Sequence, residues 1–287
     1  MVINSDFLMP IFRNKKRQKI GTSYGHIICP KCEVRTKLYK LKDGRRKCTR
    51  CGKIFVVNSK VDKRRTKIYA DVIVGFCLDF SALKTTKLFK YNYSVVLSIY
   101  KEIRKIIAME SMGKEKLDGI VEVDESYFGG ENRKRNKKYR KPKVGRGRGT
   151  DKTPVFGIKE RNGEVYIEPL MNVTEKYIES IIENQVKSGT IVMSDEFKSY
   201  KGLVYKGYIH RFVEHNKEEY VNGDVHINGI ENFWGWAKEH MMKYHGVFGE
   251  NLFLYLKELE WKFNNRDKEL EDLATQLAKL IVNNNYV

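Results

Sequence analysis

The spacing of apolar residues along the chain changes near residue 119. From Thr66 to Met112 apolar residues recur every three or four positions, which is the period of an amphipathic helix. The pattern predicts two short helices and a longer third one, with Ser81 and Asn92 at the starts of the second and third. Such a module is typical of helix-turn-helix-like DNA-binding folds, although a generic helical connector would show the same periodicity.

Beyond residue 119 short β-branched runs alternate with helical stretches. A strand leads to Asp124, and two further strands flank Asn162-Gly163, a dipeptide that favours a hairpin. A helix then begins at Thr174, a buried strand runs to Asp195, and a short helix, another strand and a long helix complete the order. This order predicts an α/β domain with a ribonuclease H-like mixed sheet flanked by helices.

Regularly spaced leucines after residue 249 predict two amphipathic helices that cover the sheet or a partner. Together the patterns divide the chain into five expected parts. These are a basic N-terminal segment (residues 1–25), a zinc ribbon (26–60), a helical DNA-binding module (61–115), a ribonuclease H-like catalytic domain (116–248) and C-terminal helices (249–287).

Four cysteines in the second of these parts form two pairs of the type C-x2-C, separated by fifteen residues: Cys29, Cys32, Cys48 and Cys51. This spacing is typical of a structural zinc site with four thiolate ligands on two turns. The alternative is two disulfides. No secretory signal or membrane span is predicted, so we expect the protein to stay inside the cell, with the nucleoid or in a nucleus, where zinc is favoured.

The chain is strongly basic, and the charge is concentrated at one end. Its formal net charge is +19. Residues 1–118 contain twenty-eight basic and ten acidic side chains, an excess of +18. A field of this sign favours a polyanionic partner and indicates DNA binding. Residues 132–148 add ten Lys or Arg and no acid, which predicts a loop that meets the phosphate backbone or a merely solvated one.

Three carboxylates stand where predicted elements would bring them to one cleft. Asp124 and Asp195 each lie at or just beyond a β-branched run, and Glu231 lies near the start of the long helix. Carboxylates that converge from separate elements are the ligands that magnesium ions prefer. Lys238, two helical turns after Glu231, could hold a DNA phosphate. The amide of Asn228 is either a further metal ligand or a helix cap.

Three motifs carry a resemblance to a known family. They are Asp124-Glu125-Ser126-Tyr127-Phe128-Gly129-Gly130, Ser194-Asp195-Glu196 with Tyr200, and the run from His226 to Trp234 with Lys238. Together they resemble the DDE transposases of insertion sequences related to the eukaryotic Merlin elements. Thirty-five residues separate Asp195 from Glu231, a spacing similar to that common in the superfamily. The resemblance covers residues 29 to about 266.

The resemblance implies a recombinase that cleaves DNA at element ends and joins them to target DNA. It implies two Mg²⁺ or Mn²⁺ ions held by Asp124, Asp195 and Glu231, with Lys238 as the accompanying base, and a homo-oligomer that acts on paired ends. Some members have Asn in the third position, which would fall to Asn228; we favour Glu231 because a carboxylate neutralises an ion. The alternatives are a non-catalytic zinc-ribbon DNA-binding protein and a nuclease on the same fold.

Overall fold

The computed structural model divides the chain into two units. Unit 1 comprises residues 1–99 and 269–287, and unit 2 comprises residues 100–268. The structure describes residues 4–13, 29, 31–32, 37–43, 45–55, 63–129, 152–171, 173–195, 201–212, 226–244, 247 and 250–284. The basic loop predicted for residues 132–148, Glu196 and Tyr200 lie outside these ranges.

Unit 1 contains the predicted ribbon and the predicted helical module up to residue 99, whereas residues 100–115 of that module belong to unit 2. Its strands, in the order β1-β2-β3, form a small antiparallel sheet: β1 (Leu38–Lys40), β2 (Arg46–Cys48) and β3 (Ile54–Phe55). Its helices are α1 (Met9–Arg13), α2 (Lys63–Cys77), α3 (Ala82–Phe89), the first part of α4 (Tyr93–Ser111) and α8 (Leu270–Asn283). The three helices predicted between residues 66 and 112 are therefore present.

Local hydrogen bonds start the second and third of these helices where the sequence indicates. The side chain of Ser81 accepts a hydrogen bond from the amide of Lys84, which satisfies a free amide in the first turn of α3. The Asn92 side chain accepts one from the amide of Ser94 at the start of α4. The last predicted helix, α8, packs against α1 and α2 within unit 1.

Unit 2 is built on a five-stranded mixed sheet. Its strands are β4 (Ile120–Phe128), β5 (Thr153–Glu160), β6 (Val165–Pro169), β7 (Ile191–Ser194) and β8 (Ile209–Phe212), in the order β6-β5-β4-β7-β8. The first three in sequence form an antiparallel meander, and β7 and β8 continue the sheet parallel to β4. This is the ribonuclease H-like topology that the sequence predicts, and the prediction is confirmed.

Helices cover both faces of this sheet: α5 (Glu175–Gln185) on one, and α6 (Asn228–Met242) with α7 (Glu250–Asn264) on the other. Alternate residues of β4 separate two cores. Val121 and Val123 pack with α5, whereas Phe128 packs with α6 and α7. By the same alternation, Glu122 and Asp124 share the face that carries α6.

Buried ion pairs fix α7 in unit 2. Glu258 of α7 accepts hydrogen bonds from Arg104 Nε, Lys262 Nζ and Tyr244 Oη, each at 2.6 Å. The pKa of Glu258 reflects these partners: burial acts to raise it, but the charges of Lys262 and Arg104 and the hydrogen bonds outweigh burial and lower it to about 2. Every charge in this group has an opposite charge beside it.

Among the described residues, no helix has the length and apolar character needed to cross a membrane.

Candidate active site

The register of the central strands brings the first two predicted carboxylates to the same level. Parallel pairing of β4 with β7 sets Glu122 opposite Met193. Two residues further along each strand, the same register sets Asp124 beside Asp195, which directly follows β7. Met193 packs in the core beneath α6 and α7, so this alternation places Asp195 on the α6 face together with Asp124. Neighbouring Glu125 lies on the opposite side of β4, toward α5.

The third carboxylate lies on the helix that covers this face. Four residues of α6 form its buried stripe: Ile230, Phe233, Trp234 and Ala237. Glu231 is exposed, and its angular position borders this stripe. Opposite Asp124 on the neighbouring strand stands Gly157. Any side chain at residue 157 would overlap the indole ring of Trp234, so glycine there lets α6 lie close to the sheet beside Asp124.

Asp124 lies among other acids in unit 2. Its pKa is raised to about 7. Burial is the largest cause, and the negative charges of Asp195, Glu125 and Glu231 add to it, against a backbone hydrogen bond from the amide of Glu125 that lowers the pKa. The charges of Asp195 and Glu231 thus act on Asp124 in the direction expected of neighbouring carboxylates.

A carboxylate that the sequence analysis did not assign joins this neighbourhood. Glu122 is 1% exposed. Its Oε2 accepts a hydrogen bond from the Ile230 amide at 3.0 Å, and its Oε1 accepts one from Arg161 Nε at 3.2 Å. Nδ1 of His226 lies 3.6 Å from the same Oε1. An acid inside a β-branched run, two residues before Asp124, was the available signal for Glu122.

The four predicted zinc ligands converge in unit 1. Their sulfur atoms all lie within 4.8 Å of one another, with Cys29 to Cys51 at 3.6 Å and Cys32 to Cys48 at 3.9 Å. A tetrahedron with zinc–sulfur bonds of about 2.3 Å has sulfur–sulfur edges of about 3.8 Å, whereas a disulfide measures about 2.05 Å. The group could therefore hold a zinc ion, and its geometry does not fit the disulfide alternative.

Neighbouring thiols affect the protonation of Cys32. A hydrogen bond with Cys51 is the largest cause of its raised pKa, which desolvation and hydrogen bonds with Cys29 and Cys48 raise further, to about 12. Thiolates are the form that binds zinc, so zinc binding would release the protons of these thiols.

Comparison with protein families identifies the domain that carries the carboxylates. Residues 116–264, more than half of the chain, match the ISXO2-like transposase domain. The chain belongs to this family. The match contains Asp124, Asp195 and Glu231, whereas the four cysteines and α8 lie outside it. The resemblance to insertion-sequence transposases is thereby confirmed.

Two relatives agree with this assignment. An uncharacterised transposase-like protein of Haemophilus influenzae is 38% identical over 117 residues, which are 40% of this chain and 94% of that protein. An uncharacterised protein in the transposable element ISH50 of Halobacterium salinarum is 30% identical over 171 residues, 57% of this chain and 58% of its own length. The crystal structure of the Mos1 strand transfer complex aligns with a TM-score of 0.30 at 13% identity, covering 75% of each chain, a likeness too weak to carry an argument.

Two further predicted residues of the transposase domain lie on α6. Asn228 and Lys238 are both exposed. Lys238 shares the side of Glu231, two turns along the helix, whereas Asn228 lies nearly opposite the buried stripe. The residue that precedes α6 is Ile227, whose side chain makes no capping bond, and the Glu122 carboxylate binds a first-turn amide instead. The structure therefore assigns to Glu122 the capping role considered for Asn228.

Proposed function

We propose that the protein is a DNA transposase that cleaves at the ends of its element and transfers the cut strand to target DNA. Membership of the ISXO2-like transposase domain family supports this role. The observation that carries the mechanism is the parallel register of β4 and β7, which sets Asp124 level with Asp195 on the face that carries α6.

Asp124, Asp195 and Glu231 are the residues that would hold two Mg²⁺ or Mn²⁺ ions. Oxygen-only ligands from three elements suit these ions, and the raised pKa of Asp124 indicates a group whose ionisation a cation would favour. Such ions activate the attacking oxygen and stabilise the leaving oxygen of an in-line phosphoryl displacement. Glu231, and not Asn228, is the third member in this proposal, since Glu231 borders the buried stripe of α6 whereas Asn228 lies nearly opposite that stripe.

The remaining residues of the site bind and orient DNA in this proposal. Lys238 is exposed on the same side of α6 as Glu231, where its ammonium group can bind a backbone phosphate. Buried Trp234 keeps α6 against the sheet and excludes water from the apolar side of the site.

The basic N-terminal part of the chain, with an excess of +18 over residues 1–118, supplies most of the affinity for element ends. A homo-oligomer would bring two ends together.

Strand cleavage and joining on DNA that carries the element ends test this function. The end sequences can be read from short inverted repeats that flank the gene. We expect cleavage and joining with Mg²⁺ and neither with a chelator, and we expect Asp124→Asn and Asp195→Asn to bind the ends without cutting them. Binding without cleavage by the unchanged protein would favour the non-catalytic alternative, and cleavage without joining would favour a nuclease.

We also propose that Cys29, Cys32, Cys48 and Cys51 hold one structural zinc ion. The sulfur–sulfur distances of 3.6 and 3.9 Å support it. Metal analysis of protein purified without chelator should give one equivalent of zinc, and the four thiols should resist a maleimide until the metal is removed. Less than half an equivalent, or free reaction of all four thiols, would contradict the assignment.

A further inference from the structure

One buried carboxylate connects three elements around the candidate active site. Glu122 of β4 binds the Ile230 amide in the first turn of α6 and also binds Arg161, which lies in the turn between β5 and β6. The other end of the Arg161 guanidinium donates to the carbonyl of His226 at 3.0 Å, just ahead of α6. Glu122 and Arg161 therefore hold the start of α6 at two backbone points.

We propose that Glu122 and Arg161 are positioning residues that hold the start of α6, and with it Glu231, against Asp124. This inference rests on the proposed function, because Glu231 matters only if it completes the catalytic site. Glu231 immediately follows Ile230, the residue whose amide Glu122 binds, and Asp124 lies two residues after Glu122 on the same face of β4. The hydrogen bond from the Ile230 amide to Glu122 thus joins the residue before Glu231 to a residue that lies close to Asp124 on β4.

A carboxylate suits this position for a physical reason. The first amides of a helix have no acceptor within the helix, and the helix dipole favours a negative charge beside them. Ile227 has no side-chain oxygen to offer. Glu122 provides both the acceptor and the charge from a residue far away in sequence, while Arg161 neutralises the carboxylate so that it can remain buried.

Gly229 supports the same interpretation by its size. A Cβ atom at this residue would lie 2.7 Å from Oε2 of Glu122, closer than real Cβ contacts. Glycine is a poor residue inside a helix, yet residue 229 stands in the first turn of α6. A Cβ atom at residue 229 would therefore displace the Glu122 carboxylate from the positions in which Ile230 and Arg161 bind it.

A matched control exists elsewhere in unit 2. Glu260 of α7 is 2% exposed, accepts a hydrogen bond from the Ile167 amide at 2.9 Å and pairs with Lys257 at 2.6 Å. Like Glu122, it joins a backbone amide to a basic side chain across two elements. It binds neither α6 nor β4 in these contacts, so its loss tests the general effect of removing a buried carboxylate.

The experiment uses the full chain and four variants: Glu122→Gln, Glu260→Gln, Gly229→Ala and Asp124→Asn. Hydrogen exchange of peptides that cover residues 226–234, measured without metal, reports the order of the start of α6. A titration with Mn²⁺ that is monitored by electron paramagnetic resonance measures the affinity of the metal site. Thermal unfolding reports the general stability of each variant.

We expect Glu122→Gln and Glu260→Gln to lower the unfolding midpoint to a similar degree. Of these two variants, only Glu122→Gln should speed hydrogen exchange at the start of α6 and weaken Mn²⁺ binding. The loss of Mn²⁺ affinity should be about 10- to 100-fold, as for other residues that orient metal ligands. Gly229→Ala keeps every charge and should weaken Mn²⁺ binding in the same direction, which preserves the test if Glu122→Gln fails to fold.

The positioning role would be overturned if Glu122→Gln and Gly229→Ala fold and each binds Mn²⁺ with an affinity within about threefold of that of the unchanged protein. Failure of the proposed function gives a different result. In that case the unchanged protein and Asp124→Asn would bind Mn²⁺ equally. This result would contradict both the metal site and the role of its positioning residues.

Discussion

Two acidic residues of unit 2 have their pKa values shifted in opposite directions. Glu258 on α7 has its pKa lowered to about 2, whereas Asp124 on β4 has its pKa raised to about 7. Burial acts to raise the pKa of both. The difference lies in their neighbours, because Lys262 and Arg104 surround Glu258 and further acids surround Asp124.

This contrast separates an acid that is paired within the fold from an acid whose neighbours are further acids. Each charge of the Glu258 group has an opposite charge in contact. At Asp124 the charges of Asp195, Glu125 and Glu231 add to the effect of burial, and pKa shifts of this kind cluster at functional sites. The character of the neighbouring charges therefore indicates a candidate site more directly than burial alone.

The largest expected effect concerns the third member of the acidic group. Glu231→Gln keeps the shape of the side chain but removes the charge, so strand cleavage should fall by roughly 10³-fold or more, as when one member of a catalytic set is lost. Asn228→Ala should lower cleavage by at most about 10- to 100-fold. Binding to element ends should survive in both variants, as a gel-shift assay would show.

The opposite ranking, with Asn228→Ala inactive and Glu231→Gln active in Mg²⁺, would move the third position to Asn228. Loss of DNA binding in both variants would instead mean that the start of α6 serves the fold alone.

A smaller effect is expected on stability when the compensated group is broken. Glu258→Gln would leave Arg104 and Lys262 buried without their counter-charge, which should lower the free energy of unfolding by about 3–5 kcal/mol. Asp124→Asn removes a repelled charge and should not lower the stability of the metal-free protein. Denaturant unfolding of the two variants would measure the contrast, and equal losses would contradict it.

The smallest expected effect is a pH dependence of stability that differs between the two groups. Asp124 keeps its proton in the folded protein up to about pH 7 but loses it near pH 4 in the unfolded chain. Stability of the metal-free protein should therefore fall as the pH rises from about 4 to 7, by about 1–3 kcal/mol from this group. Asp124→Asn should remove this fall.

Glu258 contributes in the opposite direction. Its pKa is lowered from 4.5 to about 2, so its contribution is present above pH 4.5 and is lost as the pH falls toward 2. Thermal unfolding of metal-free protein across the pH range would separate the two. A rise of stability from pH 4 to 7 that Asp124→Asn abolishes would contradict the sign assigned to Asp124.

The sequence predicted the elements of unit 2 well because their signals are local. Short β-branched runs marked the strands, and Asn162-Gly163 marked the hairpin, where Asn162 adopts a positive φ of 59°. The helix predicted to begin at Thr174 ends at Gln185, because the next residue, Val186, pairs with Leu117. Asp195 could be proposed because it directly follows a strand, whereas Asp124 lies in the middle of β4, which continues to Phe128 beyond the β-branched run that predicted the strand.

The contacts that organise the site depend on residues distant in sequence and could not be predicted. Glu122 and Ile230 are 108 residues apart, and the fit of Trp234 over Gly157 becomes visible only when β5 lies beneath α6. The same limit applies to α8, whose apolar face suits the sheet or a partner equally well but packs against α1 and α2. Periodicity shows that a face is buried without showing what covers it.

The metal site is tested most directly by the binding of Mn²⁺ to the full chain and to single variants of the three carboxylates. We expect saturable binding that Asp124→Asn, Asp195→Asn and Glu231→Gln each weaken severely and that Asn228→Ala changes little. Mn²⁺ should also raise the unfolding temperature of the unchanged protein and not that of Asp124→Asn. Binding that survives all three carboxylate substitutions would contradict the claim that these residues form the metal site.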